Sequence, residues 1–270
     1  MKKFFALLLF AMLLAGSACA ETVSLKIDGS QGKLAAVIQR PELNHGEKCR
    51  MVMLLHGFTG NKENRPLTDI ADMLEAQGIA SIRFDFNGHG QSEGAFENMT
   101  VLNEIEDAKK VFEFVKGLEY VESVSVAGHS QGGVVTSMLA GELGAENVKA
   151  VVLLAPAAVL RDDALRGSAF GVSYDAGNIP ESVNIWGHKL GREYIITAQT
   201  LPIYETAEKF TGPVCLIHGT ADRIVPYTYS LSYKRVYQNS ELHLIDGADH
   251  GFRGFEEEAA KIATEFFVKH

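Results

Sequence analysis

Short apolar runs recur along the chain, and between several of them lie longer stretches whose apolar positions repeat at the helical period. Residues 22–27 and 33–39 alternate apolar and polar side chains around Asp28-Gly29-Ser30-Gln31-Gly32, which predicts an antiparallel hairpin at a sheet edge. Beyond it the pattern changes. Residues 50–55, 80–84, 124–127, 148–154, 214–217 and 241–245 are strand candidates, most of them strongly apolar, as expected of strands covered on both faces. Helical runs fall at 66–77, 102–116, 131–143 and 227–237, the first three stopped by Gly78, Gly117 and Gly144. A closing helix at 256–267 presents Ala260, Ile262, Ala263, Phe266 and Phe267 to the sheet. Such alternation predicts an α/β domain: a mostly parallel, eight-stranded sheet with helices on both faces.

One connection breaks the rhythm. After the sixth strand ends at Leu154-Ala155-Pro156, about sixty residues pass before Val214, more than a crossover helix and its loops require. Residues 157–211 are therefore read as an inserted cap, and 21–156 with 212–270 as the core.

Composition adds the compartment. Of 270 residues 46% are hydrophobic and 22% charged, enough for one large domain with a buried core. Residues 1–20 stand apart, with Lys2 and Lys3 before an apolar run over 4–15 and a small-residue Ala18-Cys19-Ala20 before Glu21. That is the pattern of a signal peptide cleaved after Ala20, and it predicts a periplasmic or secreted protein. Lipid attachment at Cys19 is the alternative, disfavoured because Gly16 stands where an aliphatic residue is usual. Without the leader, 23 basic residues face 34 acidic ones, a net charge of −11 that argues against nucleic acid or an anionic membrane as partner. The remaining cysteines, Cys49 and Cys215, fall on strands about three places apart at about 4.8 Å each, so two free thiols are expected.

The chemistry centres on Ser123-Val-Ser-Val-Ala-Gly-His-Ser130-Gln-Gly-Gly, a strand, a sharp turn and a helix. Gly128, Ser130 and Gly132 spell G-x-S-x-G, in which glycines remove the Cβ atoms that would clash as strand folds into helix and leave the serine hydroxyl at the apex. A hydroxyl is a poor nucleophile at neutral pH and needs a base, and the base needs an acid to orient it. Leu216-Ile-His-Gly-Thr-Ala-Asp222 delivers Asp222 beyond one strand end, and Asp246-Gly-Ala-Asp-His250 delivers His250 beyond the last. Asp249 and Asp162 are the competing acids, the first pointing away by adjacency and the second lying after the sixth strand. His129 and His218 read as satisfied core histidines and His89 as part of a structural turn. The backbone N–H groups of Phe58, in His56-Gly-Phe-Thr-Gly-Asn61, and of Gln131 are the expected oxyanion hole. No His/Cys/Asp cluster has metal-ligand spacing along the chain, and no cofactor is implied.

His56-Gly-Phe-Thr-Gly-Asn, Phe84-Asp-Phe-Asn-Gly-His-Gly-Gln-Ser, Gly128-His-Ser-Gln-Gly-Gly, Leu154-Ala-Pro-Ala-Ala, His218-Gly-Thr-Ala-Asp and Gly247-Ala-Asp-His together resemble the bacterial cinnamoyl (feruloyl) esterases of the α/β-hydrolase superfamily. The resemblance runs through nearly the whole chain after the leader. It implies an α/β-hydrolase fold with a cap closing over the site, and an acyl-enzyme mechanism on hydroxycinnamate esters. It further implies that Asp163 and Tyr194 meet the phenolic end of the acyl group. Phe170 stands where relatives often carry a glutamine and cannot hydrogen-bond a phenol through its side chain. From the residues themselves, Phe170, Tyr174, Trp186, Tyr194 and Tyr204 offer aromatic surface for a flat group, or else the cap's own core. Expected partners are a small-molecule ester or a feruloylated saccharide, with a homodimer as the assembly. A short-chain carboxylesterase is the next reading. A cap-bearing peptidase would need Glu181, Glu193 or Glu205 to hold a free amine.

Overall fold

The computed structural model describes residues 21–270, so the leader expected at 1–20 lies outside the described residues. Strands β1 (Glu21–Asp28) and β2 (Lys33–Arg40) form the antiparallel hairpin, and β2 continues antiparallel onto β4 (Ala80–Phe84). From there β3 (Cys49–Leu55), β5 (Val121–His129) and β6 (Val148–Leu154) pair in parallel, as do the later β11 (Val214–Gly219) and β12 (Ser240–Ile245). The order across the sheet is β1-β2-β4-β3-β5-β6-β11-β12.

Side-chain alternation sorts the core into two layers. In β3, Met51, Met53 and Leu55 face one layer with helices α2 (Val101–Lys116) and α3 (Gln131–Leu143). Val52 and Leu54 face the other, with α1 (Leu67–Ala76) and the C-terminal α8 (Glu256–Lys269). Strand β5 starts at Val121, earlier than its apolar run suggests, because backbone pairing with β3 continues past exposed Glu122. Cys49 and Cys215 are buried and free, with β5 and β6 lying between their strands.

The segment between β6 and β11 opens with α4 (Val159–Arg166) and continues into two small hairpins, which the sequence pattern does not reveal. One joins β7 (Ser168–Ala169) to β8 (Val172–Ser173), and the other joins β9 (Ser182–Ile185) to β10 (His188–Gly191). Each turns on an aromatic residue followed by glycine, Phe170-Gly171 and Trp186-Gly187, all four at positive φ as a tight two-residue hairpin loop demands. The strands of the first hairpin, two residues each, are too short to carry a period. Helices α5 (Arg192–Gln199) and α6 (Ile203–Ala207) follow, and α6 packs on α3 of the core before α7 (Thr228–Val236) continues the same layer.

Candidate active site

The turn from β5 into α3 holds Ser130 at φ 57°, ψ −123°, a conformation that L-residues avoid and that surrounding structure must enforce. Enforcement comes from close backbone approach. A Cβ on Gly128 would collide with the Gly132 carbonyl, and one on Gly132 would collide with the carbonyls of His56 and Leu55. Ser130 thus sits at the N-terminus of α3, where the helix dipole favours negative charge.

The structure brings Ser130, His250 and Asp222 together. His250 Nε2 lies 2.8 Å from Ser130 Oγ, and its Nδ1 lies 2.7 Å from Asp222 Oδ2. Burial alone would raise the Asp222 carboxyl, but hydrogen bonds from His218 and His250, the latter's charge and the Val225 N–H outweigh it and hold Asp222 well below the usual carboxylate range. The competing acids are engaged elsewhere. Asp249 Oδ1 accepts the N–H groups of Gly251 and Arg253, and Asp162 Oδ2 accepts the Tyr229 hydroxyl.

The loop after β3 passes directly over the nucleophile, so closely that a Cβ on Gly57 would lie 2.8 Å from Ser130 Cβ. This brings the Phe58 backbone beside Ser130 from one side while Gln131 follows it from the other. Neither the Phe58 nor the Gln131 N–H has an acceptor among the described residues, as the two donors of an oxyanion hole require. Beneath the loop, His56 Nδ1 is 2.9 Å from the Gly57 carbonyl and its Nε2 accepts the Phe86 N–H at 3.0 Å. Desolvation pushes this imidazole down to about 3, so it stays neutral.

Ser130 lies where two cavities meet. The first, about 290 Å³, runs under the cap among Leu160, Asp163, Phe170, Tyr174, Trp186 and Tyr194. The second, about 280 Å³, is lined by Thr59, Asn64, Arg65 and His250, and Phe170 and Trp186 border both. Phe170 stacks on Phe58 with centroids 4.2 Å apart and meets the half-exposed Trp186 at 4.9 Å, so the two hairpin tips form an aromatic partition above the serine. Asp163 lines the first cavity, where burial raises its carboxyl; Arg166 at 3.8 Å only partly opposes this. Glu205, one of the acids considered for amine binding, pairs instead with Arg161, and none of Glu181, Glu193 and Glu205 lines either cavity.

Tyr194 borders the first cavity, and its hydroxyl donates to Gln131 Oε1 at 2.7 Å, so its proton is engaged within the protein. Gln131 Nε2 in turn donates to Glu104 Oε2 at 2.9 Å, giving a buried chain that ties α5 of the cap to α3 and α2 of the core. Tyr194→Phe is therefore expected to leave Gln131 Oε1 unpaired, costing about 1–3 kcal/mol of stability. Losses in kcat/KM should be equal for methyl p-coumarate, methyl cinnamate and an aliphatic ester; a loss confined to the coumarate would return the hydroxyl to the ring.

Glu104 is a contributor that motif reading passes over, and His129, read from the sequence as a satisfied core histidine, has a role at the site as well. His129 Nε2 lies 2.7 Å from the His250 carbonyl and so anchors the loop that carries the base. Glu104 occupies the apolar face of α2 between Val101 and Ile105, and an acid on that face is the one sequence signal that could have marked it. Desolvation pushes its carboxyl up to about 8. Between about pH 4.5 and 8 the folded chain thus holds a proton that the unfolded chain has lost. The resulting stability is fully present below 4.5 and is lost as pH rises through 8. Relative to wild type, Glu104→Gln should gain stability with a slope of about 1.4 kcal/mol per pH unit across that window and level off above it, measured as denaturant midpoints. A pH-independent difference would mean that Glu104 titrates normally.

Strand pairing also assembles what linear spacing conceals: ligand atoms of Cys215, Glu241 and His243 lie within 4.8 Å of one another on β11 and β12. Burial pushes the Cys215 thiol up, and His243 Nε2 is already 3.0 Å from Glu241 Oε1. None of the three lines the cavities at Ser130.

Fold and site together define a serine hydrolase with an inserted cap. A family model described as serine aminopeptidase, S33, matches residues 46–174, a span that includes Ser130 and the oxyanion loop and ends before Asp222 and His250. Est1E from Butyrivibrio proteoclasticus, solved with ferulic acid bound, superposes with a TM-score of 0.86 at 33% identity, covering 91% of this chain and 98% of that one. Mouse α/β hydrolase domain-containing protein 10 shares the fold, with a TM-score of 0.71 at 20% identity over 92% of this chain and 97% of its own. The Saccharomyces cerevisiae protein YDL057W is 23% identical over 271 residues, 87% of this chain and 82% of that protein. The chain belongs to the α/β-hydrolase superfamily and, within it, to the esterase family of Est1E. It is a serine ester hydrolase.

Proposed function

We propose that the protein hydrolyses esters of hydroxycinnamic acids through an acyl-enzyme. The observation that carries this reading is the first cavity, roofed by Phe170 and Trp186, walled by Leu160, Tyr174 and Tyr194, and holding Asp163 as a polar group within an otherwise largely apolar lining. At about 290 Å³ it falls near the small end of ligand pockets, roughly 300–1,000 Å³, which suits a single-ring acyl group. Similarity to Est1E, which binds ferulic acid, supports the same class.

The reaction then runs across the partition. Ser130 Oγ attacks the ester carbonyl while His250 Nε2 takes its proton, and the N–H groups of Phe58 and Gln131 receive the charge that develops on the carbonyl oxygen. His250 borders the second cavity and not the first, so the acyl group lies under the cap and the alcohol leaves on the side where His250 can protonate it. Water entering by the vacated side repeats the cycle on the acyl-enzyme.

Phe170 favours a second reading, short-chain ester hydrolysis, because it puts an apolar ring with no hydrogen-bonding group into the acyl cavity. Initial rates on methyl ferulate, methyl p-coumarate, p-nitrophenyl butyrate and an aminoacyl anilide, measured side by side, separate the possibilities. Higher kcat/KM on the hydroxycinnamates is expected. Preference for the butyrate would install the second reading, and preference for the anilide would make the protein a peptidase. Export of the mature chain from Glu21 onward is part of the proposal and rests on the composition of residues 1–20.

A further inference from the structure

His218 lies near the end of β11, wholly shut off from solvent, and its ring has partners at both nitrogens. Nδ1 is 2.7 Å from Ser230 Oγ, while Nε2 is 3.1 Å from Asp222 Oδ2 and 2.9 Å from the Val225 carbonyl oxygen. These partners determine the tautomer. A carbonyl and a carboxylate only accept, so Nε2 must carry the hydrogen, leaving Nδ1 as a lone pair that accepts the Ser230 O–H. Ser230 is itself fully buried.

Asp222 is consequently held by four donors. Its Oδ1 accepts the N–H groups of Ile224 at 2.9 Å and Val225 at 2.8 Å, and its Oδ2 accepts two imidazole N–H groups, from His218 and His250. We infer that His218 is a positioning residue for the ester hydrolysis, acting through Asp222: its Nε2–H holds the carboxylate so that Oδ2 faces His250, and the Ser230 O–H, donating to Nδ1, keeps the His218 ring in the orientation that can do this. Asp222 lies in a loop after β11 where the Ile224 and Val225 N–H groups hold Oδ1, and the His218 N–H holds Oδ2 from behind, narrowing the swing of that oxygen away from the imidazole it must orient. A second donor on Oδ2 also makes that oxygen less basic, so the proton gained from Ser130 stays on His250 and is available to the leaving alcohol. The inference concerns the triad alone and is independent of which ester is the substrate.

The test uses p-nitrophenyl butyrate, with rates normalised to active sites titrated by a fluorophosphonate, so that unfolded protein does not count. His218→Leu is expected to lower kcat by about 10-fold or more with KM within about twofold, as for loss of orientation rather than of binding. His218→Gln, whose amide places an N–H close to the Nε2 position, should recover most of that loss. Ser230→Ala keeps both rings but leaves the His218 Nδ1 without its donor, so the ring is less firmly aimed at Asp222, and should lower kcat severalfold. The low-field proton resonance of the His250 Nδ1–H is expected to shift in each impaired variant, reporting the altered Asp222 contact directly. If His218→Leu does not fold, Ser230→Ala and His218→Gln still decide. Wild-type kcat in Ser230→Ala with an unmoved resonance would overturn the inference, as would equal losses in Leu and Gln variants, which would make the residue a packing element only.

Discussion

Ser130→Ala and His250→Ala should each lower kcat by about 10⁴–10⁶ on whichever ester the enzyme turns over best, with the protein still folded. Ser130 Oγ, His250 Nε2, His250 Nδ1 and Asp222 Oδ2 form one continuous hydrogen-bonded line, so the groups act as a unit and losing the serine or the imidazole beside it forfeits the activated nucleophile. Substrate binding should largely survive, because most of the cavity walls come from residues other than Ser130 and His250. Asp222→Asn should be milder than the serine change yet still severe: the amide keeps the shape but presents an N–H where His250 needs an acceptor. The same change at Asp249 should cost far less, since that carboxylate caps a turn and faces exposed Arg253, away from His250 Nδ1. Circular dichroism and steady-state kinetics on the four variants check the set. More than a tenth of wild-type activity in Ser130→Ala would falsify the assignment of the nucleophile.

These residues were legible in the sequence for definite reasons. The central strands are covered on both faces and so appear as apolar runs, and the serine is bracketed by glycines that backbone contact demands. Acid and base then follow at the ends of later strands, where a parallel sheet gathers its loops. What escaped was contact between segments distant in sequence. Nothing in Arg192-Glu-Tyr-Ile says that the Tyr194 hydroxyl will find Gln131, and the resemblance pointed it toward the substrate instead. His218 looked like a core histidine, which its burial bears out, while its contact with Asp222 depends on how the loop after β11 folds back. Strands of two and four residues left the aromatic hairpin tips unmarked in the sequence pattern.

Gly132→Ala should abolish the folded active enzyme even though alanine is a better helix former by about 1 kcal/mol. Gly132 is the second residue of α3, and there the helix start is pressed against the end of β3. An added Cβ would stand 2.5 Å from the Leu55 carbonyl oxygen and closer still to that of His56. Both obstacles are backbone, so no side-chain rotation relieves them; either α3 or the β3 end must move. The residues that would move are those that matter, because His56 leads into the loop bearing the Phe58 N–H, and α3 begins with the Gln131 N–H. Overpacking against a rigid backbone costs typically 1–3 kcal/mol and occasionally more, and the position of the clash puts this variant at the upper end. The expected outcome is little soluble protein, or a folded remnant with kcat reduced by about 10³ or more, since losing one oxyanion donor alone costs roughly 10²–10³. Thermal melting and fluorophosphonate labelling on the same sample distinguish the two forms of failure. A stable variant that labels at the wild-type rate would show that the elbow tolerates a side chain here, and that the close approach of β3 and α3 is not what shapes the site.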